Sequence, residues 1–143
     1  MKKLIIIGCL LFSTMACQKN DQEASPEKVL ETVSIAAARQ TAVPTSGSDL
    51  KVELLSVNDS RCPSNAVCIT AGTALLKFSV NDQDEKTEVS LNFSDVDKSA
   101  NTVAFKLNGA AYELSVTEVF PYPNSSKSPQ LEEYKVQVSI KRK

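Results

Sequence analysis

From Leu50 to Ile140 the apolar residues of this chain recur at every second position, in short runs separated by polar turns. Period two is the signature of a half-buried strand, with one face on a core and the other in water. "DLKVELLSV" sets Leu50, Val52 and Leu54 against Lys51 and Glu53; Leu55 and Val57 then continue in the opposite phase, which predicts a bulge near Leu54. "TALLKFSV" sets Ala74, Leu76, Phe78 and Val80 against Lys77 and Ser79. "KTEVSLNF" gives Val89, Leu91 and Phe93, "NTVAFKL" gives Val103, Phe105 and Leu107, "AYELSVTEVF" gives Tyr112, Leu114 and Val116, and "EYKVQVSIK" gives Tyr134, Val136, Val138 and Ile140. Asn81 to Glu85 reads as a hairpin loop, and Asn108-Gly109 is a tight-turn signal. Earlier, "VLETVSIAAARQTAV" (Val29 to Val43) reads as one strand, although its Ala and Leu also suit a helix. No run is continuously apolar, which argues against a buried parallel sheet. The expectation is an all-β domain over residues 29–143, a small antiparallel β-sandwich or barrel of about seven strands with one short-loop disulfide.

The N-terminus decides where that domain works. Lys2 and Lys3 precede an apolar stretch, Leu4 to Ala16, broken only by Ser13 and Thr14. It is short of the roughly 20 apolar residues that span a bilayer, and it has the proportions of a signal-peptide core. Small Ala16 stands before Cys17, and the composition then changes to "QKNDQE". This resembles the lipobox of bacterial lipoproteins, with Thr14 where the family usually has Leu. The resemblance implies that residues 1–16 are removed as a signal peptide, that Cys17 is lipidated and that a membrane holds the protein by this lipid anchor. Cys9 follows too short an apolar run to be the anchor and leaves with the signal peptide. Residues 17–28, polar with a single Pro, read as a flexible tether. Gln18 after the Cys lacks the acidic mark of inner-membrane retention, and Lys19, Asp21 and Glu23 resemble in part the surface-export signal of Bacteroidetes lipoproteins. An outer-membrane lipoprotein, periplasmic or surface-exposed, is the implied location.

Removing Cys9 and lipidating Cys17 leaves two of the four cysteines, Cys62 and Cys68, in "DSRCPSNAVCITAG". A metal clip, a redox pair and a structural staple compete for them. Zinc asks for about four ligands, and this chain has no His. Thioredoxin-like redox pairs use C-x-x-C, a different spacing. In an oxidising compartment disulfides persist, and Pro63, Ser64 and Asn65 suit a tight loop. A Cys62–Cys68 staple is therefore expected.

The block Asp59, Ser60, Arg61, Cys62, Pro63, Cys68, Ile69, Ala71, Gly72, with Pro121, Tyr122, Pro123 and Tyr134 further on, resembles a family of small bacterial envelope proteins of unknown activity. Thr70 stands where that family carries Trp. The resemblance covers roughly residues 45 to 142 and implies a fold and an envelope location without catalytic residues.

Composition narrows the chemistry. The whole chain carries 16 basic and 17 acidic residues; without Lys2 and Lys3 the balance is 14 against 17, or −3. No basic stripe suits nucleic acid, and the terminal Lys141 to Lys143 reads as a solvated tail. Absence of His excludes Ser-His-Asp and Cys-His catalysis. Asp82 with Asp84, and Asp95 with Asp97, fall in turns where Asp serves the backbone. No catalytic residue, metal ligand or cofactor is assigned. Arg61 could offer a bidentate fork to a partner's carboxylate, or it could bridge to Asp59 and to loop carbonyls and lock the loop. With Pro63 and Tyr122 it forms the candidate interaction set. The reading is a monomeric, lipid-anchored, non-enzymatic β-domain that binds an envelope protein or extracellular ligand. Its rivals are a protease-inhibitor-like module, offering the Cys62–Cys68 loop or Pro121 to Pro129, and a His-free hydrolase.

Overall fold

The computed structural model describes residues 30–143; the expected signal peptide, Cys9, Cys17 and the tether lie outside the described residues. Eight strands form: β1 (Val33–Ala36), β2 (Thr41–Val43), β3 (Leu50–Asp59), β4 (Ala74–Asn81), β5 (Lys86–Phe93), β6 (Thr102–Leu107), β7 (Ala110–Phe120) and β8 (Lys135–Arg142). Two short 3-10 turns, Lys98–Asn101 and Leu131–Glu133, complete the described secondary structure. The strands make two four-stranded antiparallel sheets, ordered β1-β8-β7-β6 and β2-β3-β4-β5. A single apolar cluster draws on both, with Leu50, Val52, Phe78 and Phe93 from one sheet and Ile35, Leu114, Val136 and Ile140 from the other. The sandwich expected from the alternation is thus the fold. Among the described residues no helix is long and apolar enough to cross a membrane.

The eighth strand comes from the segment read as one strand. Between Ala37 and Gln40 the chain leaves one sheet and joins the other. Ala38 takes a positive φ of 58°, Ala37 donates to the Tyr134 carbonyl at 3.2 Å, and Ala37 bridges in parallel to Leu54. One segment therefore supplies an edge strand to both sheets. Asn108 and Gly109 both have positive φ, 48° and 70°, the backbone of the primed two-residue hairpin turn. At the β4–β5 loop the Asp82 carboxylate accepts from the N–H groups of Asp84 and Glu85, each at 2.9 Å. Those bonds, with one from Asn108, hold its pKa below the ordinary value, so Asp82 serves the turn.

Two bulges shape the far end. The expected one in β3 lies between Leu54 and Ser56, so Leu55 is the extra residue. Beyond it the inward phase passes from even to odd positions: Val57 lies opposite Leu76, and Asp59 opposite buried Ala74. A second bulge in β7, between Val116 and Glu118, turns Val119 onto the core opposite Val136. The first bulge thereby puts a carboxylate on the inner face of a sheet. The β1 register fixes the polarity of the sandwich. Val33 pairs with Val138 and Ala36 with Lys135, so the chain enters at the end that carries the Asn108-Gly109 turn. Asp59, Ala74, Phe120 and Lys135 close the other end.

Candidate functional site

Asp59 and Arg61 organise that other end. The Arg61 side chain is 1% exposed and that of Asp59 5%. Arg61 Nε donates to Asp59 Oδ1 at 2.9 Å and Nη2 donates to Oδ2 at 2.7 Å, a fork on a carboxylate. Its remaining donors reach across to the second sheet: Nη1 to the Val119 carbonyl at 3.0 Å and Nη2 to the Pro121 carbonyl at 3.1 Å. Asp95 stands 3.8 Å from Nη1. The guanidinium carbon lies 4.8 Å from the centroid of the Tyr122 ring and 5.8 Å from that of Phe93, within cation–π range. Burial opposes the charge, but the hydrogen bonds and charge of Asp59, with the charge of Asp95, outweigh it and raise the Arg61 pKa. The Asp59 carboxylate is completed by the Arg61 N–H at 3.1 Å and the Tyr134 hydroxyl at 3.3 Å. Four of the five guanidinium N–H groups of Arg61 are engaged within the domain, on Asp59 and on the Val119 and Pro121 carbonyls, so the fork faces inward and braces the loop, the second of the two readings of this residue.

Above this pair sits the loop that joins β3 to β4. Cys62 and Cys68 are disulfide-bonded, and closing a loop this short stabilises by about 2.4 kcal/mol in the chain-entropy account. At its base Ser60 N–H donates to the Thr73 carbonyl at 2.9 Å and Cys62 N–H to that of Ala71 at 2.7 Å. The chain there passes so close to itself that only glycine fits at Gly72. Its φ is +70°, and a Cβ would lie 2.0 Å from the Ser60 oxygen. The upper part is fastened to the Pro121–Pro129 loop. Ser64 N–H donates to the Pro123 carbonyl at 2.9 Å, the Asn65 amide nitrogen donates to Ser125 Oγ at 2.7 Å, and Ser125 N–H returns a bond to Asn65 Oδ1 at 3.0 Å. A second turn braces that loop in its own right, through Lys127–Glu133 at 2.6 Å and Gln130 N–H to Glu133 at 2.7 Å. Between the loops lies an open cleft of about 430 Å³, with Asp59, Arg61, Pro63, Lys127 and Tyr134 on its walls.

Of the residues singled out in the sequence, Arg61, Pro63, Tyr122 and the two disulfide cysteines converge on this end; Cys17 lies outside the described residues. The two loops named as candidate binding loops are joined to each other. Sequence reasoning missed Val67 and Ile69, which flank Cys68 and are both fully exposed. Their signal was present: Val67 lies inside the ring closed by Cys62–Cys68 and Ile69 directly after it, in a stretch of turn residues and not in a strand. It also missed Phe93 as a neighbour of Arg61. Thr70 is exposed.

Burial, then the charge and hydrogen bond of Asp59, push the Tyr134 hydroxyl up to about 12. A group whose pKa rises on folding contributes stability that is complete below its unfolded value, about 10 for Tyr, and lost as pH climbs through the folded value. Urea midpoints of the wild type should fall between pH 10 and 12 relative to those of Tyr134→Phe. Ultraviolet titration of the three tyrosines should show one ionising last, and that phase should vanish in Tyr134→Phe. If the two proteins lose stability in parallel, the coupling to Asp59 is absent.

Comparison of the chain with models of known protein families, with curated proteins and with solved structures finds no match.

Proposed function

We propose that the chain is a lipid-anchored cell-envelope protein whose β-domain carries a rigid binding loop for a protein partner at the end away from its anchor. Full exposure of Val67 and Ile69 on a loop held by a disulfide and by three hydrogen bonds to its neighbour carries this reading. Fully burying an aliphatic side chain of this size contributes about 1.5–3 kcal/mol, and here that gain is withheld from the fold. Pre-bracing the loop lowers the entropy lost on docking. The "STMAC" motif supports Cys17 as the lipid attachment, and Gln18 with Lys19, Asp21 and Glu23 supports the outer membrane as the location. The described chain starts at Leu30 beside Ile140, Lys141 and Arg142, at the end opposite the loop, so a flexible tether from Cys17 would leave the Val67 end free to meet a partner.

Placing a photo-crosslinking residue at position 67, and separately at position 86 on the opposite end, tests both parts in intact cells. The expected outcome is a discrete protein adduct in the membrane fraction from position 67 and none from 86. Cys17→Ala should move the protein out of that fraction or leave it as uncleaved precursor. A position-67 residue that captures nothing beyond what position 86 captures would remove the binding-loop reading. Unchanged mass and membrane retention of Cys17→Ala would remove the anchor.

A further inference from the structure

The tip of the disulfide loop combines three properties that a general contact surface does not need. Val67 and Ile69 project at alternate positions, fully exposed. Among the described residues, the N–H and C=O groups of Val67, Cys68 and Ile69 make no backbone hydrogen bond, so their main chain is free to pair with a partner. The Val67–Cys68 peptide bond is also held on both sides. Cys68 is tied to Cys62. On the other side Ala66 N–H bonds the Pro63 carbonyl, and Ser64 and Asn65 are fastened to Pro123 and Ser125. From Cys62 to Thr73 the loop bears no charge, so docking would desolvate none.

We infer that this loop is a substrate-like inhibitory segment for a serine-type endopeptidase, with Val67 in a primary pocket that accepts small aliphatic side chains. This rests on the binding-loop reading and names the partner's chemistry. Extended-peptide sites pair with the main chain and seat side chains in pockets, and this loop offers two fully exposed aliphatics on a main chain that is unpaired. Bracing explains why such a loop would block the enzyme and not be consumed by it. Attack by the peptidase's hydroxyl breaks the C–N bond of Val67–Cys68, forms an ester between Val67 and the enzyme, and passes a proton to the Cys68 nitrogen. In a free peptide that amine diffuses away and water enters. Here Cys68 stays bonded to Cys62 and faces the ester at high effective concentration. The reverse reaction, in which the amine attacks the ester and the proton returns to the enzyme, restores the peptide bond and the free hydroxyl.

The full chain, purified in detergent, is titrated against an elastase-type peptidase and against trypsin. The wild type should abolish elastase activity at equimolar protein and leave trypsin untouched, with the loop recovered intact. Val67→Arg, at a position that buries nothing in the domain, should weaken elastase inhibition about 100-fold by forcing a charge into an apolar pocket and should gain inhibition of trypsin. The inference is overturned if the wild type is cleaved and released as a substrate, if elastase stays active, or if Val67→Arg leaves trypsin uninhibited. A position-67 adduct in cells combined with any of those results keeps the binding loop and removes the peptidase. Absence of the adduct removes both.

Discussion

Arg61→Met should lower the unfolding free energy by about 3–5 kcal/mol, the scale for breaking a buried pair by deleting one partner. Met keeps much of the apolar stem, so the loss comes from the groups left behind. The Asp59 carboxylate, 5% exposed, would retain only the Tyr134 hydroxyl and one N–H. The Val119 and Pro121 carbonyls would lose the donors they have at 3.0 and 3.1 Å. Lys should not rescue, because a single ammonium cannot span two carboxylate oxygens and two carbonyls from a planar fork. The double variant Arg61→Met/Asp59→Leu should recover part of the loss, since an apolar pair leaves no stranded charge. Urea unfolding of the two single variants and the double variant measures this directly. A loss under about 1 kcal/mol, the scale of an exposed pair, or strict additivity in the cycle, would show that the pair does not hold this end together.

That cluster also shows where the sequence stops being legible. Strands β3 to β8 can be read from alternation because each has one wet and one buried face. Even the β3 bulge is visible, as the phase change from Leu54 to Leu55 and Val57. The β7 bulge left the same trace, Val116 followed by Val119, inside a run whose earlier residues alternate cleanly. The sheet crossing at Ala37 to Gln40 left less. Three consecutive alanines, Ala36 to Ala38, carry no polarity between faces, and the residue that turns with positive φ is Ala38 and not a glycine. Arg61 was recognisable as a candidate and Asp59 as its neighbour. Its other acceptors are main-chain carbonyls 58 and 60 residues away, and a carbonyl has no sequence signature. The exposed pair Val67 and Ile69 was hidden for another reason: in isolation an alternating apolar pair reads as core, and only its place within and directly after the Cys62–Cys68 ring sets it apart.

Gly72→Ala should cost about 3 kcal/mol or more, with Gly109→Ala as its internal control. Both glycines have φ +70°, so each alanine pays the left-handed penalty of about 1–2 kcal/mol. They differ in space. Nothing lies within 4 Å of a Cβ at Gly109, whereas one at Gly72 would sit 2.0 Å from the Ser60 oxygen, 2.8 Å from its carbon and 3.0 Å from the Arg61 Cα. All three are backbone atoms of the strand end that aims Arg61, so the clash cannot be relieved by a side-chain rotation. Relief would come from parting Ser60 from Thr73 and Cys62 from Ala71, the two rungs at the base of the disulfide loop. The excess of the Gly72 effect over the Gly109 effect therefore measures how tightly the loop base is closed. It should appear in urea midpoints and as faster amide exchange at Ser60 and Cys62. Equal losses in the two variants would mean that the chain at Gly72 has room to move. In that case the rigidity on which the binding loop depends comes from the disulfide and the Pro121–Pro129 loop alone.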